Sequence, residues 1–301
     1  MNMQNFSKAE HLWQDVLDPA YTWEIRNPGK RIHKGFPYYY FGITSILKGD
    51  LDKGFLLIHQ AFEEDKITCG STIPQTPAYF FVTLDYTKQD QLFLPKVLVI
   101  AKFIEEKLGA YRLSGKGNLS MSDFNSKFQM EASLQESVFY FVYTMFRIRK
   151  LIEETDQKLT QNVFSSVLQA NIIFDLCLIV DATIKNKATI TYKPRDKWMF
   201  YDLLLELSTR ASLFLDKDKL VQISQNFRKD FSKTLQDLLS SNYTFKDGTA
   251  PQQREVDLAI TYGFRNFGAH KIENQPVIYN NFREIFQRIL CALFLSVEKL
   301  Y

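Results

Sequence analysis

Apolar residues recur three and four places apart along most of the chain, the pattern of one helix face after another. Over Phe6–Leu17 the apolar face is Leu12, Trp13, Val16 and Leu17, opened by a Ser7/Glu10 capping box and closed at Asp18–Pro19. Tyr38, Tyr39, Phe41, Gly42, Ile46 and Leu47 form a second face, Lys48–Gly49–Asp50 turns the chain, and Leu51–Glu64 follows with Phe55, Leu56, Ile58, Ala61 and Phe62 inward. This is an αα-hairpin. Leu92–Leu108 reads as a helix with Gly109 beyond its end. From Ser133 the pattern predicts helices over Leu134–Thr155, Gln161–Lys185, Lys197–Phe214, Lys219–Ser240, Gln253–Phe267 and Asn280–Tyr301. The second of these is apolar on most sides and should lie at the centre of a bundle. Only Pro77–Tyr86 is ambiguous between a helical turn and a short strand near Phe80–Leu84. The expectation is an all-α protein.

Leu113–Ser122, rich in Ser and Gly, reads as a linker. It divides the chain into an N-terminal helical domain, 1–120, and a C-terminal bundle, 121–301. Its Gly115–Lys116–Gly117 lacks the rest of a phosphate-binding loop, and no strand precedes it.

Composition narrows the function classes. Apolar residues make up 46% of the 301 positions, enough for a sizeable core. Lys and Arg number 37 against 34 Asp and Glu, a net charge of +3, so any polyanion site must be a local patch. The exposed-looking run Arg228, Lys229 and Lys233 reads first as a solvated helix face. Cys69, Cys177 and Cys291 are far apart, and the last two fall in apolar runs that suggest buried thiols. No metal-ligand spacing is apparent, so neither a metal nor another cofactor is expected. The beginning of the chain lacks the pattern of a secretory signal, and no uncharged apolar stretch reaches 18 residues. A cytoplasmic protein without a membrane segment is the expectation.

The candidate chemistry lies in Thr261–His270, between two apolar-periodic runs. Arg265 and His270 are five apart, which in an unbroken helix would set them about 140° apart. Gly268 between them suggests that the helix ends near Phe267 and that the chain turns there, swinging His270 back toward Arg265. Asp175 and Asp181, on the apolar central helix, are either partners for Arg265 or solvent-facing, and solvent is the favoured reading. Arg26–His33 has the same beginning and end, but Pro28 and Gly29 make it a polar turn, a decoy. His59, alone on a helix, reads as structural.

Arg265, Asn266 and, separated from Arg265 by four residues, His270, set between two amphipathic helices near the end of an all-helical domain, resemble the signature of the HEPN superfamily. The resemblance covers the C-terminal half in architecture and these few residues in motif. It implies a metal-independent endoribonuclease that dimerises and pairs two motifs in one cleft, serving as a toxin or an anti-phage effector. By that resemblance Arg265 would hold the scissile phosphate, His270 would shuttle a proton and Asn266 would position either one. A branch of the superfamily carries Tyr two places after the His; Ile272 stands there, so control through such a Tyr is not expected. The hairpin Phe36–Asp65 is similar to a single tetratricopeptide-type hairpin, with Gly42 allowing close helix approach. Partners expected are an RNA substrate, a second copy of the chain through the aromatic final helix (Phe286, Phe294), and a regulatory protein at the N-terminal helices. The alternative is a catalytically silent HEPN-like dimer that binds a protein or a nucleotide-type ligand.

Overall fold

A computed structural model describes residues 3–155, 163–268 and 276–301, and among them every regular element is helical. In order these are α1 (Met3–Arg26), α2 (Gly35–Lys48), α3 (Leu51–Thr68), α4 (Pro77–Val82), α5 (Leu94–Leu113), α6 (Met121–Phe124), α7 (Gln135–Thr155), α8 (Val163–Lys187), α9 (Phe200–Arg210), α10 (Lys217–Lys229), α11 (Phe231–Leu239), α12 (Gln253–Phe267) and α13 (Pro276–Leu300). Short 3-10 and π turns join several of them. The ambiguous stretch is helical: Pro77 begins α4, the Thr76 hydroxyl caps it, and Leu84 beyond its end takes a left-handed φ of 53°. The chain divides into two compact units. One comprises 1–103 with 145–147, the other 104–144 with 148–301. The division expected at residue 120 therefore falls earlier, after Phe103 within α5, and α5 runs through Gly109 to Leu113.

In the first unit, α2 and α3 form the expected hairpin, and two glycines face each other across it. A Cβ on Gly42 would lie 2.5 Å from Ile58 and 2.8 Å from the Gly54 carbonyl, and one on Gly54 would lie 2.8 Å from the Gly42 carbonyl. Either side chain would force the helices apart, so Gly54 matters as much as Gly42, which alone stood out in the sequence. Phe55, Phe81, Phe93 and Phe146 build the core beneath, with ring centroids 5.3–6.4 Å apart.

Helix α1 continues through Pro19 instead of ending there. Proline in a helix interior costs a backbone hydrogen bond, a loss that tertiary contacts can outweigh. Here Trp13 stacks on Tyr40 with centroids 5.5 Å apart, and buried Glu10 accepts hydrogen bonds from Ser45, Lys48 and Lys53 at 2.7–3.0 Å. Burial pushes the Glu10 carboxyl up, but the two lysines and Ser45 overcome it and hold it at about 2. A carboxyl held below its unfolded value stabilises the fold above pH 4.5, and that contribution is lost as pH falls toward 2. Both lysine side chains are 38% exposed, so solvent screening limits the term to on the order of 1 kcal/mol. Acid titration followed by dichroism should show a loss of stability in this window that is smaller in Glu10→Gln. Equal losses in the two proteins would remove Glu10 from the account.

The second unit is built around α8, which packs against α9, α12 and α13. Ser165–Lys187 is long and apolar enough to cross a membrane by length and composition, yet 56% of its most apolar window is buried inside the protein, as in a core helix. Helices α10 and α11 cover α12, and the ring of Phe227 sits where a Cβ on Gly263 would lie, 2.3 Å away. The single helix expected over Lys219–Ser240 is two, because Asp230 leaves helical geometry and its carboxylate caps α11 through the Lys233 N–H. Arg228, Lys229 and Lys233 are exposed, as a solvated face requires.

The expected linker is packed. Leu119 is 2% exposed, and Lys116, buried beneath it in sequence, bonds both oxygens of buried Asp257 on α12 at 2.6 and 2.9 Å. Arg288 on α13 reaches the same carboxylate at 3.3 Å and Gln253 at 2.5 Å. Burial raises Asp257 to about 6 against the pull of Lys116 and Arg288, which still leaves it ionised at neutral pH. A lysine read as part of a hydrophilic spacer is thus a structural ion. Phe286 and Phe294, expected to pack against a second copy, are 2% and 0% exposed within the single chain. They fill its own core, Phe294 against Tyr111 and Phe124.

Candidate functional site

Arg265 occupies the last turn of α12 because the apolar face of that helix runs through Leu258, Ala259, Ile260 and Phe264, all 0% exposed, and carries the helix intact to Phe267. Arg265 itself is half-buried. Its Nε donates to Asp181 Oδ2 at 2.9 Å, and its guanidinium lies 5.8 Å from the centre of the Phe174 ring. Both contacts come from α8, two turns apart. The charge pair fixes one edge of the guanidinium and the ring supports its plane. Side-chain exposures of 31% and 17% keep the pair near about 1 kcal/mol, so its main effect is orientation.

Asp181 is therefore the arginine's partner, although solvent was the favoured reading. The signal for it was an acidic residue on a helix apolar on most sides, where an unpaired carboxylate is costly. Asp175, one helix face away, accepts from Tyr140 Oη at 2.6 Å. Phe174 went unnoticed because an aromatic residue in an apolar run looks like core.

Gly268 ends α12, as expected, in a right-handed conformation, φ −72° and ψ −33°. Glycine is required here for space: a Cβ would lie 2.7 Å from the Phe264 ring. Asn266 is half-buried beside Arg265. His270 lies outside the described residues, as does Ile272, and the convergence expected of Arg265 and His270 is a matter for experiment.

A cleft of about 410 Å³ opens in the same unit, lined by Ile152, Gln169 and the first part of α13 from Tyr279 to Glu284. Asn281 there departs from helical geometry, with φ −114° and ψ 16°, and its side chain bonds the Val277 carbonyl at 2.8 Å. The buried Gln169 Oε1 has no hydrogen-bond partner among the described residues. Arg265 is not part of the cleft's lining.

In the first unit, the turn set aside as a decoy is held by charge. Arg31 bonds both oxygens of Glu64 at 3.0 and 2.6 Å, Lys34 is ion-paired with Glu24, and His33 Nε2 lies 2.7 Å from Asp65 Oδ1. The polar character of Arg26–Gly35 thus marks an ordered ionic contact with the end of α3. No model of a known protein family, no curated protein and no solved structure matches this chain.

Proposed function

We propose that the chain is a HEPN-like, metal-independent endoribonuclease that cleaves RNA by attack of the 2′-hydroxyl on the neighbouring phosphate. The observation that carries the reading is the setting of Arg265. It is half-exposed at the end of α12, held by Asp181 and Phe174, and separated by four residues from a histidine. A pre-oriented guanidinium suits the non-bridging oxygens of a phosphate, whose charge grows in the transition state. The imidazole of His270 exchanges protons near neutral pH, and Asn266 adds an amide for the phosphate or the ring. One histidine per motif is a minimal acid–base set, which a symmetric dimer would double. A toxin or anti-phage role follows from the same resemblance. The test is incubation of purified protein with total RNA beside His270→Ala, together with its mass in solution; intact RNA would sink the enzyme reading, and a strictly monomeric mass the paired-site part of it.

A second reading has its own support. Helix α1 exposes Leu12, Val16 and Trp23, at 63%, 48% and 40%, along one face. Solvent-facing apolar residues at helical spacing suit a protein partner. A catalytically silent HEPN-like module bound through α1 would leave RNA intact under every condition.

A further inference from the structure

Sequence spacing hides one cluster that the first unit brings together. Asp65 and Cys69 stand one turn apart at the end of α3, and the Cys69 N–H bonds the Asp65 carbonyl at 2.8 Å. His33 arrives from the segment before α2. Its Nε2 lies 2.7 Å from Asp65 Oδ1 and 3.8 Å from Cys69 Sγ, and the three donor atoms all lie within 4.8 Å of one another. Asp65 is buried, whereas His33 and Cys69 keep partial access to solvent.

We propose that His33, Asp65 and Cys69 form a zinc-binding site with one coordination position left for water or a ligand. The donor set is that of a borderline divalent metal: one imidazole nitrogen, one carboxylate oxygen and one thiolate sulfur. At ordinary zinc bond lengths and tetrahedral angles, nitrogen and oxygen would stand about 3.3 Å apart, and sulfur and nitrogen about 3.6 Å. Reaching that geometry opens the first pair by about 0.6 Å and closes the second by about 0.2 Å. A neutral imidazole, a carboxylate and a thiolate carry two negative charges, which balance the dication.

The surroundings favour the same reading. Arg31 and Lys34 are engaged by Glu64 and Glu24, which leaves Asp65 as the carboxylate facing His33. Gly35 presses on the donors: a Cβ there would lie 2.0 Å from Asp65 Oδ1 and 2.5 Å from His33 Nε2. The Phe36 ring meets the His33 ring edge-on at 6.2 Å and orients it. A nucleophile–base–acid relay would use the two different nitrogens of the imidazole. Here a single nitrogen faces both the acid and the thiol, so the three donors converge on a point.

The site rests on the first unit alone and stands or falls independently of RNA cleavage. The experiment uses the full chain, stripped of metal and then given Zn²⁺ or Co²⁺. Cys177 and Cys291 are buried, so alkylation located by mass spectrometry reports on Cys69. We expect Zn²⁺ to slow alkylation of Cys69 in the wild type by at least about tenfold and Co²⁺ to give a thiolate charge-transfer band that Cys69→Ser lacks. His33→Gln and Asp65→Asn should each weaken zinc by about tenfold or more, with dichroism confirming the fold of each variant. Unchanged alkylation with no charge-transfer band in the wild type overturns the site. So does zinc binding of wild-type strength in Cys69→Ser.

Discussion

Incubated with total RNA in EDTA, the protein should release fragments ending in 2′,3′-cyclic phosphate, and His270→Ala should slow their release by about 10²–10⁴-fold, the usual worth of a positioned acid or base. Chelation should leave the reaction intact because the attacking hydroxyl, the phosphate clamp and the proton shuttle are all organic groups. Arg265→Lys should also be damaging: lysine keeps the charge, but it loses the planar fork that Asp181 grips through Nε. Asp181→Asn would then lower cleavage less than loss of Arg265, since an amide still accepts from Nε. Arg26→Ala should leave cleavage unchanged. His33→Ala should do the same in molecules that stay folded, although it strips buried Asp65 of a partner. If Arg265→Ala and His270→Ala cleave like the wild type while the first-unit variants fail, the wrong pair has been chosen. If RNA survives every condition, the silent module with its exposed α1 face takes over.

Lys116→Met should destabilise the second unit by about 3–5 kcal/mol, the range for stranding one member of a buried ion pair. Asp257 is 2% exposed and would keep only Arg288, 3.3 Å away, to offset the burial that already raises it to about 6. Denaturant titration followed by dichroism measures the loss. The double variant Lys116→Met, Asp257→Leu should recover much of it, because an apolar pair of similar volume is often neutral or better. If Lys116→Met alone is silent, the 113–122 segment is a spacer after all and the contact carries no weight.

Where local physics decides, the sequence was a good guide. Helix α12 has the bounds its apolar period predicts, Gln253–Phe267, and α8 is central because a helix apolar on most sides must be covered on most sides. The errors fall where distant groups overrule local signals. Pro19 should stop α1, but contacts with α2 hold it before the proline, Glu10 to Ser45 and Trp13 to Tyr40, and after it, Tyr21 to Tyr38. Lys116 looks like a linker lysine until Asp257, far along the chain, is brought beside it. Asp230 announces a cap only once its carboxylate is seen on the Lys233 N–H. The candidate site divides the same way. Arg265 stands out by motif, whereas its partner Asp181 requires the packing of α12 on α8. For the zinc ligands, the i, i+4 pair Asp65 and Cys69 was a readable half-signal, but nothing in the sequence ties it to His33.

Helix α8 also has a history during synthesis. Its covers α12 and α13 leave the ribosome well after α8 itself. At 5–20 residues per second the gap is on the order of ten seconds, during which an apolar helix lacks two of its native covers. A nascent chain in that state offers a hydrophobic segment that chaperones bind and that the membrane-insertion machinery could take for a span. Truncation before α12 makes the state permanent, so such fragments should be aggregation-prone or cleared rapidly, whatever the full chain does.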